Sequence, residues 1–103
     1  MFIATMNLKT KFGSEYSVLI DKSPYMVGNM QTCLTAIEKS GQVFAKLTVN
    51  LVDEMQKAGE VFIKNYSENA GFMEQLIAEG IISQPKRRIE KQYIDIYVCD
   101  LLK

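Results

Sequence analysis

The most concentrated group of side chains that could do chemistry in this sequence is basic and lies near its C-terminal end. Lys86, Arg87 and Arg88 are consecutive, and Lys91 follows three residues later. Arginine forks pair with phosphates or carboxylates, so this group predicts a contact either for a nucleic acid or for an acidic protein surface. Tyr93 is close enough in sequence to add apolar contact or base stacking. The more ordinary interpretation is a solvated loop over residues 86–91, between a helix and the last strand.

Two further segments combine residue types that suit binding. Asn65–Gly71 is polar and precedes a predicted helix, where free N–H groups and the helix dipole favour anions, although Ser67 and Asn69 could simply cap that helix. Ser23–Met30 is predicted as a loop, yet it carries large apolar side chains. These side chains either pack under the sheet or form an adaptable contact surface, to which methionine is suited. They are Tyr25, Met26, Val27 and Met30.

The residues that most catalytic and metal sites require are missing from this sequence. There is no histidine, so the commonest general base and metal ligand is absent, and no G-x-S-x-G motif is present. Two cysteines far apart make a poor zinc set, and the six glycines are scattered rather than grouped in a phosphate loop. Asp95 and Asp100 could bind a hard cation, but solvated edge positions explain them better. We therefore expect no enzyme activity, no metal and no cofactor.

Composition limits the class of protein further. The chain has 103 residues, 48% of them apolar, which is enough for one domain spanning 1–103. Twelve basic and twelve acidic residues give zero net charge, which removes the simplest argument for a nucleic-acid binder. Neither a signal peptide nor an apolar run of membrane-spanning length is present, so we expect a cytoplasmic protein without membrane attachment. Cys33 and Cys99 have no C-x-x-C spacing and are expected to be reduced and half-buried.

Alternation of apolar and polar residues in some segments, and strand-favouring residues between turns in others, predict five or six mostly antiparallel strands. They are Phe2–Leu8, Glu15–Ile20, Gln31–Ile37, Gln42–Leu51, Glu60–Lys64 and Gln92–Leu102. Residues 38–41 form a hairpin turn within the clearest pair, whose second strand has Val43 on its apolar face and Phe44 as an exception on its polar face. Asp21–Asn29, which contains Pro24, is predicted as a loop or an irregular edge.

One helix is predicted, over about residues 69–79, because Phe72, Met73, Leu76 and Ile77 form a single apolar stripe. Gly80 suits the left-handed position that ends it, with Ile81 folding back on Leu76. Residues 52–58 are helix-compatible but too short to form a helix alone. The last strand is apolar on both faces, which is typical of a central strand or of one that meets a helix or another subunit. The fold class is therefore α+β, with the helix packed on one sheet face.

The order of motifs in the C-terminal half resembles a known family. The relevant segments are TVNL at 48–51, GEVFIKNYSEN at 59–69, FMEQL at 72–76, GI at 80–81 and YVCDL at 97–101. They resemble a domain-of-unknown-function family of small proteins carried on prophages, plasmids and conjugative elements. The resemblance implies stoichiometric binding, for example inhibition of a host defence nuclease such as a CRISPR effector. The N-terminal strands and residues 86–91 lie outside it.

These observations predict a non-enzymatic accessory protein of a phage or mobile element that acts by protein–protein binding. The candidate contact residues are Lys86, Arg87, Arg88, Lys91, Tyr93 and Tyr25. Charge reversal of Arg87 and Arg88 is expected to weaken partner binding and to leave the melting temperature nearly unchanged. The alternative is a nucleic-acid-binding accessory protein that uses residues 86–91 and loses affinity steeply with salt. A homodimer through an exposed strand edge or the last strand is a further option.

Overall fold

Two antiparallel sheets and one helix form this protein, in a computed structural model that describes residues 1–25 and 30–103. The first sheet has the order β1-β2-β3-β4, built from Phe2–Lys9, Glu15–Pro24, Thr32–Glu38 and Val43–Lys46. The second has the order β5-β7-β6, built from β5 (Glu60–Lys64), β6 (Arg87–Lys91) and β7 (Ile94–Asp100). The helix α1 covers Phe72–Ala78 and follows a short 3-10 turn at Ser67–Asn69. The predicted α+β class is confirmed.

The described chain has seven strands rather than five or six, because the basic segment is a strand and not a loop. β6 pairs antiparallel with β7 along its whole length, from Arg87 opposite Val98 to Lys91 opposite Ile94. The two-residue turn between them lacks glycine, although Gln92 has a φ of 50°. Hairpins of this length are normally signalled by Asn-Gly or a similar pair, and Gln92-Tyr93 is not such a pair.

The second strand extends further than its sequence pattern predicted. β2 continues through Asp21 to Pro24, which pairs with Thr32 of β3, so the predicted loop is wrong over residues 21–24. Proline is tolerated there because the next N–H, of Tyr25, bonds to the Gln31 carbonyl, so the Pro24 nitrogen faces away from β3 and no hydrogen bond to β3 is lost. The remainder of that predicted loop, residues 26–29, lies outside the described residues.

The predicted strand Gln42–Leu51 divides between the two sheets. β4 ends at Lys46, and the chain then crosses to β5, where Thr48 pairs with Ile63 and the Val49 N–H donates to Phe62. This crossing links the two sheets through residues 47–49. One continuous alternating strand could not serve both sheets, because they bury different faces of the segment.

The predicted assignment of faces is wrong at Val43 and Phe44, at the start of β4. The register of the β3–β4 pairing shifts between Ala36 and Ile37. This irregularity reverses the faces on which the Val43 and Phe44 side chains were expected. Val43 is consequently 56% exposed, whereas Phe44 packs against the core. The Phe44 ring lies 4.6 Å from that of Tyr16 and 6.1 Å from that of Phe72.

Apolar side chains pack into two clusters, one on each face of the second sheet. The larger cluster lies among both sheets and α1 and includes Leu8, Ile20 and Cys99. The smaller cluster contains Phe62, Ile89, Ile96 and Val98. Since neighbouring β7 residues, such as Val98 and Cys99, enter different clusters, both faces of β7 are buried. The prediction of a central last strand is confirmed by its place between β5 and β6.

The helix ends as predicted but begins differently. Gly80 has a φ of 72°, its N–H donates to the Ile77 carbonyl, and the Ile81 N–H donates to the Leu76 carbonyl, which is the pattern of a Schellman motif. At the other end, the side-chain oxygen of Asn65 accepts hydrogen bonds from the N–H groups of Gly71 and Met73.

The predicted caps Ser67 and Asn69 do not cap α1, which begins at Phe72. Asn69 is fully buried, and its side chain donates to the Lys46 carbonyl at 2.6 Å. Ser67 instead begins the 3-10 turn with a φ of 57°. The N–H groups of Gly71 and Met73, at the start of the helix, already donate to Asn65. These two donors are therefore not available to an anion.

Candidate functional site

The predicted contact residues Lys86 and Arg87 are joined to one buried carboxylate. The Lys86 ammonium lies 2.8 Å from Glu60 and 2.9 Å from Asp100, and the Arg87 guanidinium lies 3.1 Å from Glu60. Glu60 begins β5 and lies opposite Asp100 of β7. Arg87, at the start of β6, lies opposite Val98 of the same strand, so Glu60 and Arg87 come close together. These two cations therefore stabilise the second sheet and are only partly available to a partner.

Glu60 is the residue that sequence reasoning missed at this place, since it looks like an ordinary charged strand end. Its side chain is 1% exposed. Burial on its own would raise its pKa, but hydrogen bonds from Lys86 and the Lys57 N–H, with the charges of Lys86 and Arg87, hold the pKa of Glu60 below its usual range. The carboxylate is thus ionised at neutral pH, and it is compensated by its partners.

The remaining two cations of the group are paired as well. Arg88 contacts Glu90 at 2.7 Å and Asp95 at 3.7 Å. Lys91 contacts two carboxylates of the loop before β5, Asp53 at 2.8 Å and Glu54 at 3.5 Å. A hydrogen bond from Lys91 lowers the pKa of Asp53, and the same bond raises the pKa of Lys91.

Taken together, the basic group is not an unopposed positive surface. Six carboxylates lie within salt-bridge distance of its four cations, so the cluster carries a net formal charge of −2. The acidic partners come from β5, β6, β7 and the loop before β5, which no local stretch of sequence brings together. Electrostatic attraction of a phosphate backbone requires excess positive charge, which this cluster lacks.

The two candidate tyrosines lie in different environments. Tyr93 occupies the tip of the β6–β7 hairpin and is completely exposed. Tyr25 is half-buried, its hydroxyl is 2.9 Å from the Thr48 hydroxyl, and the Lys46 ammonium lies 5.7 Å from the centre of its ring. Burial is the main cause that raises the pKa of Tyr25 to about 12. Tyr93 is free to contact a partner, whereas Tyr25 belongs to the packing beside β3.

The most exposed apolar side chains near the basic group lie around a shallow depression of about 450 Å³. Met30 is 65% exposed, Val52 is 74% exposed and Met55 is 83% exposed. We call Met30, Val52 and Met55 the methionine surface. Gln31, Asp53, Glu54 and Gln56 complete the lining of the depression. Met30 ends the segment Ser23–Met30, for which the sequence left both a buried and a contact role open, whereas Val52 and Met55 lie in a segment that reads as polar.

The loop that carries this surface is held in place by polar contacts to the start of β3. The Gln31 side chain is 3% exposed, and it donates to the carbonyls of Leu51 and Glu54 and accepts from the Leu51 N–H, all within 2.9 Å. The Gln56 side-chain oxygen accepts from the Thr32 N–H at 2.9 Å. Val52 and Met55 are consequently presented to solvent by a fixed loop rather than by a loose one.

The rest of the described chain offers less for binding. Both cysteines are free and buried, and the described residues contain no group of three or more side chains suited to hold a metal ion. Burial raises the pKa of the Cys99 thiol to about 11. Within residues 1–25 and 30–103, no helix is both long and apolar enough to cross a membrane.

Comparison of the chain with models of protein families, with curated proteins and with solved structures found no match. The family resemblance of the C-terminal half therefore stays a prediction from the sequence. The geometry of the methionine surface is then the main basis for assigning a role.

Proposed function

We propose that this chain is a non-catalytic protein-binding module that acts stoichiometrically through the methionine surface. The observation that carries this proposal is the exposure of Met30, Val52 and Met55 around one depression on a loop fixed by Gln31. Large apolar groups grouped in this way mark interaction sites, whereas single exposed ones are common on any surface. A sequence without histidine is consistent with binding rather than acid–base catalysis.

The energetics of association favour this surface over the basic group. Burial of a methionine or valine side chain contributes about 1.5–3 kcal/mol. The loop is already ordered by Gln31, so less conformational entropy is lost on binding. By contrast, a partner that engaged Arg87 would have to compete with the buried Glu60.

Tyr93 extends the proposed contact. Lys91, two residues before it, is bonded to Asp53 and close to Glu54, and both of these line the depression. The hairpin tip is therefore tied to the loop that bears the methionine surface. Tyrosine is enriched at interface hot spots because it supplies a large contact area with few rotatable bonds. We assign Tyr93 to the rim of the contact.

The resemblance of the C-terminal half supports an accessory role for a phage or mobile element. On this proposal the partner is a host protein, such as a component of a defence system, and the chain inhibits it by occupying a surface. The partner's contact would be an apolar side chain that fits the depression, since the exposed lining is mainly methionine and valine.

The test is a comparison of two variants in a tagged pull-down from host lysate, read by mass spectrometry. Val52→Asp/Met55→Asp places charge on the methionine surface, and Phe12→Asp does the same at a distant turn where the side chain is equally exposed, at 83%. We expect a specific protein to be recovered with the wild type and with Phe12→Asp but lost with the double variant. Equal recovery with all three chains would contradict the proposal.

A nuclease-treated arm separates the two candidate partners. Recovery that survives nuclease supports a protein contact. Recovery that disappears with nuclease would favour the nucleic-acid alternative at residues 86–91, and binding to a single-stranded oligonucleotide should then fall steeply as salt rises.

A further inference from the structure

β1 is the outer strand of the first sheet, and the direction of its backbone groups can be read from its C-terminal end. The Lys9 N–H and carbonyl both bond to the side chain of Gln75, at 2.8 Å each, so they point away from β2. The next N–H, of Thr10, points toward β2 and bonds the Ser14 carbonyl. Backbone groups alternate along a strand, so those of Thr5 and Asn7 also point away from β2.

This outward edge is open over the middle of β1. No hydrogen bond from the described residues reaches Thr5 or Asn7 outside the β1–β2 ladder, and both residues are exposed. The segment Phe2–Leu8 has no charged side chain. An uncharged edge with unpaired N–H and carbonyl groups is a template for another strand.

The other strand edges of the described chain are shorter, charged or partly covered. β4 has only four residues, and its Lys46 carbonyl accepts a hydrogen bond from the Asn69 side chain. Four of the five residues of β6 are charged: Arg87, Arg88, Glu90 and Lys91. The link at residues 47–49 covers part of the β5 edge by bonding to Phe62 and Lys64. At the end of β1 itself, Gln75 takes the place of a neighbouring strand. The start and middle of β1 have neither charge nor cover of this kind.

We propose that a second copy of this chain pairs with β1 in antiparallel orientation, and that the two four-stranded sheets join into one. With the two-fold axis at Met6, Thr5 lies opposite Asn7 of the second copy and Asn7 lies opposite its Thr5. Both residues point outward, so each pair exchanges two hydrogen bonds. A second copy is the matching occupant because it offers the same uncharged edge, and no like charges face each other across the axis. The paired region ends before Lys9 in both copies, because the Gln75 side chain already bonds the Lys9 N–H and carbonyl.

This pairing is independent of the proposed function, because it uses none of the methionine surface. It would also cover part of Phe2, which is 59% exposed at the start of the same strand. A strand-edge contact buries little area, so the expected dimer is weak and depends on protein concentration.

Analytical ultracentrifugation of the intact chain from about 10 μM to about 1 mM tests the proposal. We expect a monomer–dimer equilibrium. Thr5→Pro should weaken it at least about tenfold, because proline removes an outward N–H and no bond of the β1–β2 ladder. Should Thr5→Pro fail to fold, a second pair of variants answers the same question. Asn7→Lys adds charge at the edge, whereas Ser17→Lys adds it at the paired position on β2, away from the edge.

Amide hydrogen exchange locates the contact. The N–H groups of Thr5 and Asn7 should exchange fast in dilute protein and slowly in concentrated protein, while those of Met6 and Leu8 stay protected in both. A monomer across the whole concentration range would overturn the proposal. So would a dimer that Asn7→Lys and Ser17→Lys weaken equally, or one in which the Thr5 and Asn7 amides stay unprotected.

Discussion

The side-chain amide of Gln75 bonds both backbone groups of Lys9, 66 residues earlier in the chain, and so substitutes for a neighbouring strand at the end of β1. The Gln75 oxygen accepts from the Lys9 N–H, and its nitrogen donates to the Lys9 carbonyl. A single side chain thus anchors α1 to the edge of the first sheet, and it bonds two backbone groups that would otherwise face solvent.

Replacement of Gln75 by alanine should therefore destabilise the fold. Three exposed hydrogen bonds are lost, two to Lys9 and one to the Gly71 carbonyl, and we expect the free energy of unfolding to fall by about 1–2 kcal/mol in urea denaturation. The Lys9 amide should also exchange faster. Glu79→Ala, at an exposed position just after α1, is the control and should leave stability close to that of the wild type. Equal stability of the two variants would contradict this role for Gln75.

Glu60→Gln should destabilise the protein at neutral pH by about 1–3 kcal/mol, because the variant loses the charge that holds Lys86 and Arg87. Urea denaturation of variant and wild type gives the difference. Glu90→Gln is the matched control, since Glu90 pairs with Arg88 at the surface and should change stability little. A Glu60→Gln variant as stable as the control would show that the buried pairing contributes nothing.

The effect of Glu60 should depend on pH in a defined direction. Its pKa is lowered on folding, so its ionised form stabilises the native state above the ordinary glutamate pKa of about 4.3. That contribution is lost as the pH falls through the lowered folded-state pKa, where the wild-type carboxylate becomes protonated. The stability difference between wild type and Glu60→Gln should accordingly shrink on acidification. A difference that stays constant down to strongly acidic pH would contradict the assignment.

Charge reversal should lower the melting temperature more at Arg87 than at Arg88. Arg87→Glu brings a second carboxylate to the buried Glu60, and we expect the melting temperature to fall by about 5 °C or more. Arg88→Glu, on the exposed face, should lower it much less. This replaces the expectation from sequence that both reversals leave the melting temperature unchanged. Identical thermal unfolding curves for the two variants would refute the distinction.

The residue that caps α1 can be identified by three substitutions. Asn65→Ala removes the acceptor of the Gly71 and Met73 N–H groups and should cost about 1 kcal/mol. Ser67→Ala should have little effect. Asn69→Ala leaves the Lys46 carbonyl without its donor and should also destabilise the protein, but through the link between the 3-10 turn and β4. If Ser67→Ala proved the most damaging, the sequence-based cap would be correct after all.

Thiol labelling checks the burial of the cysteines. Cys33 and Cys99 are both buried, and the pKa of Cys99 is raised to about 11, so its reactive thiolate is scarce at neutral pH. We expect neither thiol to react in the native protein at pH 7 and both to react in denaturant. Rapid labelling of either thiol without denaturant would show that its strand opens readily.

Local patterns determined much of the fold. The apolar runs in Glu60–Lys64 and in the last strand predict strands, and the apolar stripe from Phe72 to Ile77 predicts a helix. These signals act within a few residues, and the structure confirms them. The α+β class follows from their sum. The absence of histidine also limits function directly from the sequence, because no fold can supply a missing side chain.

The tertiary structure decided the features that depend on distant partners. Most residues of β6 are charged. It forms a strand because it pairs along its length with β7 and because its Ile89 side chain is buried. The basic group reads as a free positive surface until folding brings it to Glu60, Asp53 and other carboxylates. Likewise, Met55 belongs to an ordered apolar surface because Gln31 holds its loop. Charge pairing and exposure are properties of neighbours in space, and a linear sequence does not state which neighbours those are.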